Sequence, residues 1–386
     1  MQRFRLATLL VAFVLLAAAC GPAPAGTATE TPAPSPTRTR RVTATPTPRK
    51  RKPSGSGTPK PTRTRRATKT PRATKTPNPL FTKTFTPLPT RTPRLVNMTL
   101  LRVAIQPDMD SLPLFVAKSQ KLFEARGLEV IILPAGTAAE RDALFQDGEV
   151  DGLLTDLLSV ILANQGGSKF KVVGDASRAA DGAPRYYILA SEKSGITTLA
   201  GLKGVGIGLQ TGAVDEYIAT RILQGEGLAL DEIVTLSVPA PEDRLTLLAS
   251  GQLEAALLPE PMVSQAIEQG AVEIANDSDY PNLGRNVYAF SRQAIEERPE
   301  TIRDFLAAIE EAIQLINANP DKFRETVKNR NLLPPWLADT YKLPVYLSTV
   351  TPGQEEWEAL MVWAKTAGLI SVDVPYSVSV SSDFLP

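Results

Sequence analysis

The chain of 386 residues contains no histidine, and its single cysteine is Cys20. Without histidine there is no imidazole to move protons at neutral pH, and no Cys/His zinc site can form. One cysteine makes no internal disulfide, and at position 20 it leaves the later part of the chain without a thiol nucleophile. Acids are nearly missing from one long stretch. Residues 1–98 hold 19 of the 42 Lys and Arg but one acid, Glu30, while 99–386 carries 23 bases against 40 acids. The formal net charge of +1 therefore hides a basic front and an acidic body. Nucleic-acid-binding faces are basic, and this body is not. These absences argue against an enzyme, a metal site, a cofactor and a nucleic-acid partner, and the length leaves room for two domains.

The front has its own organisation. Arg3 and Arg5 precede an apolar run over 6–16 and the small residues 17–19, the order of a secretory signal. The apolar run is too short to cross a bilayer comfortably. Leu16, three alanines and Cys20 resemble the cleavage box of bacterial lipoproteins, with Ala17 where Leu is commonest. The resemblance implies that 1–20 is a signal peptide ending at a lipidated Cys20, which anchors the chain to the outer face of the cytoplasmic membrane. Residues 21–98 repeat Thr-Pro with Arg and Lys and hold few apolar residues, so a disordered tether is expected. As a flexible coil it would reach on the order of 50 Å.

In the body, two stretches read as one stretch written twice. They are ERDALFQDGEVDGLLTD over 140–156 and DRLTLLASGQLEAALLPE over 243–260. At an offset of 103, Arg141 falls on Arg244, Gly148 on Gly251, Asp151 on Glu254 and Leu154 on Leu257. Each copy predicts a helix, a glycine in the left-handed position after it, and a short apolar strand. Each strand ends at an acid, Asp156 or Glu260. Ligands of open α/β sheets sit outside the carboxyl ends of the strands, so two such units suggest two lobes facing one cleft.

The order of elements agrees with an α/β class. Strands are predicted over 100–106, 128–133, 150–154 and 170–173, alternating with helices over 112–123, from 137, and over 157–164. A strand over 185–190 leaves this lobe; strands over 204–209 and 233–237 and helices over 214–224 and 261–269 build a second. A strand over 287–290 returns, and helical patterns over 299–319, 320–329, 335–341 and 354–367 are assigned to the first lobe. Alternating strands and helices predict parallel sheets. Lobe one is thus 99–185 plus 286–386 and lobe two 186–285, hinged at crossings near 183–187 and 284–290.

Residues 110–118 (DSLPLFVAK) and 122–130 (LFEARGLEV) resemble the opening of bacterial ABC-importer substrate-binding proteins of the nitrate, sulfonate, taurine and thiamine-pyrimidine-precursor group. The likeness continues through Gly136 and Thr137, GEVDGLLTD over 148–156, Thr211 and Gly212, and LLPEP over 257–261. It implies a two-lobe type-II periplasmic binding protein fold, a small-molecule ligand, an ABC permease as partner and a monomer without cofactor. The alternative is a ligand-sensing or adhesive surface lipoprotein on the same fold. GVGIG over 204–208 is not a dinucleotide fingerprint, because Leu209 stands where the third glycine belongs. A related eukaryotic pyrimidine synthase consumes its own histidine, which this chain lacks.

The candidate ligand contacts are Gln106, Asp108, Asp110, Ser111, Thr137, Thr155 and Asp156 from lobe one, and Gln210, Thr211, Gly212 and Glu260 from lobe two. Helix starts after Ser111, Thr137 and Thr211 would offer free N–H groups to an anion. Asp156 and Glu260 are expected to meet ligand; Arg141 and Arg244 are expected in surface ion pairs. Tyr186 and Tyr187 could stack on a ring or simply pack. Four carboxylates and no base in the loops favour a neutral or cationic heterocycle with N–H donors over a sulfonate.

Overall fold

The computed structural model describes residues 98–180, 183–280 and 282–386. The expected signal segment, the Cys20 anchor and the basic tether lie outside the described residues.

Lobe one opens with β1 (Thr99–Ile105), α1 (Leu112–Ser119), β2 (Leu128–Pro134), α2 (Ala138–Gln146), β3 (Gly152–Asp156), α3 (Leu157–Asn164) and β4 (Phe170–Ser177). Lobe two follows with β5 (Tyr186–Ala190), β6 (Gly206–Leu209), α4 (Val214–Gly225), β7 (Val234–Ser237), α5 (Pro241–Ser250), β8 (Ala255–Pro259), α6 (Met262–Glu268) and β9 (Val272–Asn276). The chain returns through β10 (Asn286–Ser291) and ends with α7 (Arg292–Glu297), α8 (Pro299–Ala318), α9 (Arg324–Asn329), α10 (Gln354–Thr366) and α11 (Tyr376–Ser379).

The two sheets have the same plan. Their orders are β2-β1-β3-β10-β4 and β7-β6-β8-β5-β9. In each, three strands run parallel and the fourth is antiparallel to both neighbours. The expectation of parallel sheets is corrected on this point. The strands that follow the crossings, β5 and β10, enter from the opposite side and must run the other way. β9, an edge strand beside β5, was not expected at all. The helix expected over 335–341 is a set of turns, because Pro334 and Pro335 have no N–H to give and only isolated bonds form, such as Leu337 to Pro334 O at 2.9 Å.

Helix α8 shows how the first core forms. Ile302, Phe305, Leu306, Ile309, Ile313 and Ile316 recur every three or four residues and are all buried. Phe305 stacks on Phe123 at 5.4 Å between centroids and meets Tyr288 and Phe290 edge-on at 5.3 and 5.2 Å. Burial of each such ring is worth about 1.5–3 kcal/mol. On the opposite face of β3, a second core runs from Leu153, Leu157 and Ile161 to Ile207, Ile218 and Leu257 of lobe two. α10, assigned above to lobe one alone, also reaches lobe two: Trp363 meets Tyr217 of α4 edge-on at 5.4 Å. Trp357 is fully buried and donates Nε1–H to Val374 O at 2.8 Å. A small third core closes α5 and α6 over β5 and β8.

Buried ions secure both crossings. Asp277 Oδ1 accepts from the Arg185 and Tyr186 N–H groups at 2.7 and 3.0 Å. Arg285 donates to Asp175 at 2.9 Å, to Glu356 of α10 at 3.0 Å and to Asn282 at 2.9 Å.

Candidate functional site

The carboxyl ends of β1 and β3 meet the crossing at Arg185. After β1 the chain makes a tight turn in which Asp108 accepts from the Ser111 N–H at 3.1 Å. Ser111 Oγ accepts from the Asp108 N–H at 3.2 Å and donates to its carbonyl at 2.6 Å. Ser111 is fully buried, so it shapes the loop rather than facing a ligand. The turn aims Asp110 at the crossing, where Oδ2 accepts from Arg185 at 2.7 Å and from Asn286 Nδ2 at 2.5 Å. Burial, and then the charge of Asp110, push Asp108 up to about 8. Burial works against the charge of Arg185, but Asp110 beside it more than compensates and raises it.

Across the cleft, Glu260 follows β8 directly. Its N–H donates to Arg185 O at 2.8 Å, while its carboxylate has one distant partner, Ser264 Oγ at 3.4 Å. Burial raises it above the usual carboxylate range. Burial, and then the Glu260 charge, push Tyr187 up to about 12 and raise Tyr341. Tyr346 closes the floor by donating to Met109 O at 2.6 Å.

The remaining expected residues divide. Thr137 caps α2, accepting from the Glu140 N–H at 3.1 Å, and Asp156 caps α3, accepting from Ser159 N–H at 2.8 Å and Ser159 Oγ at 2.7 Å. Both oxygens of Asp156 are thus committed to its own helix. Gln106 accepts from Arg141 at 3.4 Å. Gln210 and Thr211 are exposed. The Gly212 N–H, offered above to an anion, donates to Glu216 at 2.8 Å, and Ala213 rather than Thr211 stands at the N-cap of α4. Thr155 is 1% exposed, and its hydroxyl has no hydrogen-bond partner among the described residues.

The two arginines are not in surface ion pairs. Arg244 is 1% exposed and donates to the carbonyls of Val238, Leu257 and Pro239 and to Asp215 at 2.5 Å. Arg141 is 4% exposed and reaches Asp142 at 2.8 Å, Ser159 at 3.3 Å and Gln106. Sequence reasoning missed Arg185, Tyr341 and Asn286. For Arg185 a signal existed, since it begins the strand that leaves lobe one. Nothing in the turns around Tyr341 marks it in advance. The base-free rim is corrected accordingly: Arg185 reaches the loop after β1 and pairs with Asp110. Among the described residues no cluster of acids could hold a metal ion, and no helix is long and apolar enough to cross a membrane.

A family model described as NMT1/THI5 like matches residues 108–323. A protein of Escherichia coli (strain K12) named as an aliphatic sulfonates-binding protein is 28% identical over 227 residues, 58% of this chain and 68% of its own. A protein of Brucella abortus (strain 2308) named as a binding protein is 28% identical over 139 residues, 35% of this chain; the match spans 43% of that relative's length. Among solved structures, the periplasmic aliphatic sulphonate binding protein SsuA from Escherichia coli superposes with a TM-score of 0.63 at 22% identity, covering 73% of this chain and 92% of that one. The desulfurization enzyme DSZB does so with a TM-score of 0.55 at 12% identity, covering 74% and 97%, so this architecture also carries catalysts. Both likenesses speak to the fold, and the fold is the two-lobe periplasmic binding protein fold. With more than half of its length matched, the chain belongs to the NMT1/THI5-like family.

Proposed function

We propose that the chain is an extracytoplasmic solute-binding protein of an ABC importer, held to the membrane through Cys20, which closes two lobes on a small neutral ring compound. A ligand touching both walls favours the closed form by its higher affinity for it. Capture and release need no bond-breaking, and with no imidazole and no thiol in the body the site is read as non-catalytic.

The observation that supports a neutral ligand is the local charge balance. Asp110 and Arg185 cancel, Asp156 is committed to its helix, and Asp108 is pushed towards its neutral form. Glu260 keeps one loosely held carboxylate, suited to an N–H or O–H donor, whose charge is felt at the Tyr187 and Tyr341 phenols. A fully ionised sulfonate would meet an Arg185 already paired with Asp110. A neutral heterocycle with donor groups fits this balance better than a cation, which would find Glu260 as its one loosely held carboxylate.

A thermal-shift screen tests this, using aminopyrimidines, flavins, taurine, alkanesulfonates, nitrate and polyamines against the purified chain. Ligand at a hundred times its Kd adds about 2.7 kcal/mol. An aminopyrimidine or flavin that raises Tm, with the shift lost in Glu260→Ala, supports the reading. A sulfonate or nitrate that wins instead overturns the neutral site, and turnover of any ligand overturns the non-catalytic one.

A further inference from the structure

A pocket lies inside lobe one, away from the Asp110–Arg185 corner. It is a cavity of about 180 Å³ between α2 and α3, over β3 and the first residue of β4. Its walls are the rings of Phe145 and Phe170, which lie against each other, with Leu153 and Leu162. Exposed Gln146 and Lys169 also border it, so it has an edge towards solvent on the helix side of the lobe. At its buried end stand Thr155 and Ser159, with Asp142 beside them.

Two observations need a common cause. The first is the space itself: a cavity of about 150 Å³ lined by Leu, Ile and Phe takes up a benzene ring, and this one is larger. The second is the Thr155 hydroxyl, which is buried at the deep end and has no partner among the described residues. A buried hydroxyl is normally paired, and an unpaired one destabilises the fold that keeps it. A valine would fill the same volume without that cost.

The charge around the deep end limits what fits. Asp142 is paired with Arg141 at 2.8 Å, and Ser159 Oγ is committed to Asp156. Nothing there is left to neutralise an ion, and an unpaired ion in such surroundings is strongly disfavoured. Thr155 can both give and accept one hydrogen bond.

We infer that this chamber is a binding site for a neutral single-ring aromatic compound bearing one hydroxyl or amino group. The ring lies among Phe145, Phe170, Leu153 and Leu162, and the substituent bonds Thr155. The site differs from the cleft proposed above in position; Thr155, which the sequence offered to the cleft, lines this pocket instead, and the site stands whether or not the cleft takes a neutral solute.

The test uses phenol and toluene as probes, with affinity read by ligand-observed NMR on the full chain. Phenol should bind more tightly than toluene. In Thr155→Val the phenol affinity should fall about five- to tenfold, the worth of one hydrogen bond, while toluene binding holds or improves. Ala163→Phe, which extends a ring into the same space, should abolish both. Because Ala163→Phe alone could fail to fold, the Thr155→Val comparison decides. Phenol affinity unchanged in Thr155→Val would overturn the site. So would equal affinity for the two probes in the unaltered chain, or no binding up to their solubility, which would leave the hydroxyl to a trapped water. Displacement of phenol by whatever ligand the cleft screen identifies would also overturn it, since two separate sites do not compete.

Discussion

The units α2–β3 and α5–β8 are the same piece of architecture in the two lobes. Ala138 corresponds to Pro241 and Gly152–Asp156 to Ala255–Pro259, all at an offset of 103. The linking glycines, Gly148 and Gly251, have φ of 72° and 75°. Both arginines that recur in them are buried. Yet Arg244 donates to three backbone carbonyls and one carboxylate, whereas every partner of Arg141 is a side chain, two of them at 3.3 Å or more. Carbonyls of a strand end and a loop cannot leave without unfolding the unit; side chains can rotate. The second copy is therefore tied to the backbone of the fold, and the first holds its arginine by side chains alone. Repetition of a residue in two units shows a shared origin of position, not a shared role.

The largest expected effect sharpens this contrast. Arg244→Met strands Asp215 and three carbonyls and should lower stability by about 3–5 kcal/mol. Arg141→Met leaves the half-exposed Asp142 to solvent and should cost about 1–2 kcal/mol. Urea unfolding of both variants checks it, and equal losses would end the distinction. Next come the glycines. Each Gly→Ala change forces a side chain into the left-handed region and should cost about 1 kcal/mol. Gly251→Ala should exceed Gly148→Ala, because its Cβ would meet Lys193 at 2.8 Å while that of Gly148 meets nothing within 4 Å. A comparison of Tm values reads the difference. At the strand ends, Asp156→Ala removes a helix cap worth about 1 kcal/mol, while Glu260→Gln should be neutral or stabilising, since burial already disfavours its charge.

The smallest effect concerns the loops after β1 and β6. Lobe one carries the half-buried Asp108, lobe two only exposed polar residues. With its folded pKa raised from 3.8 to about 8, Asp108 binds its proton more tightly in the folded chain. Its contribution to stability is present below about pH 4 and is lost as pH rises through about 8. Contact with solvent keeps the effect modest. Unfolding followed from pH 4 to 9 should show a decline that Asp108→Asn flattens; a slope unchanged in that variant would place its origin elsewhere.

Much of the fold was legible because it is written in period and punctuation. The 157–164 helix, the left-handed glycines and the exchange of strands between lobes all follow from local rules. The antiparallel sense of β5 and β10 was not, since direction is set by the path between lobes and not by any residue in the strand. Nor was the turn over 335–341, where apolar spacing mimics a helix that two prolines forbid. The site was harder still. Asp108, Asp110 and Glu260 were flagged from their places at strand ends, but no spacing reveals that Asp156 would cap its own helix. Nor does it reveal that Arg185 would come, across 75 residues of chain, to hold Asp110.

The strand orders also fix which half of the body can be completed first as the chain is made. All five strands of the second sheet lie within one continuous stretch, from Tyr186 to Asn276. The first sheet is different: β4 has no pairing with β3 and joins the sheet through β10, with a further bridge from Val172 to Val380 near the end of the chain. Until Asn286–Ser291 has emerged, β4 is an unpaired edge with Phe170 and Val172 in search of cover. The sheet that begins the body is therefore the last to close, and a chain halted before residue 286 would hold a complete second sheet, still without α10 over Tyr217, attached to an unfinished first one.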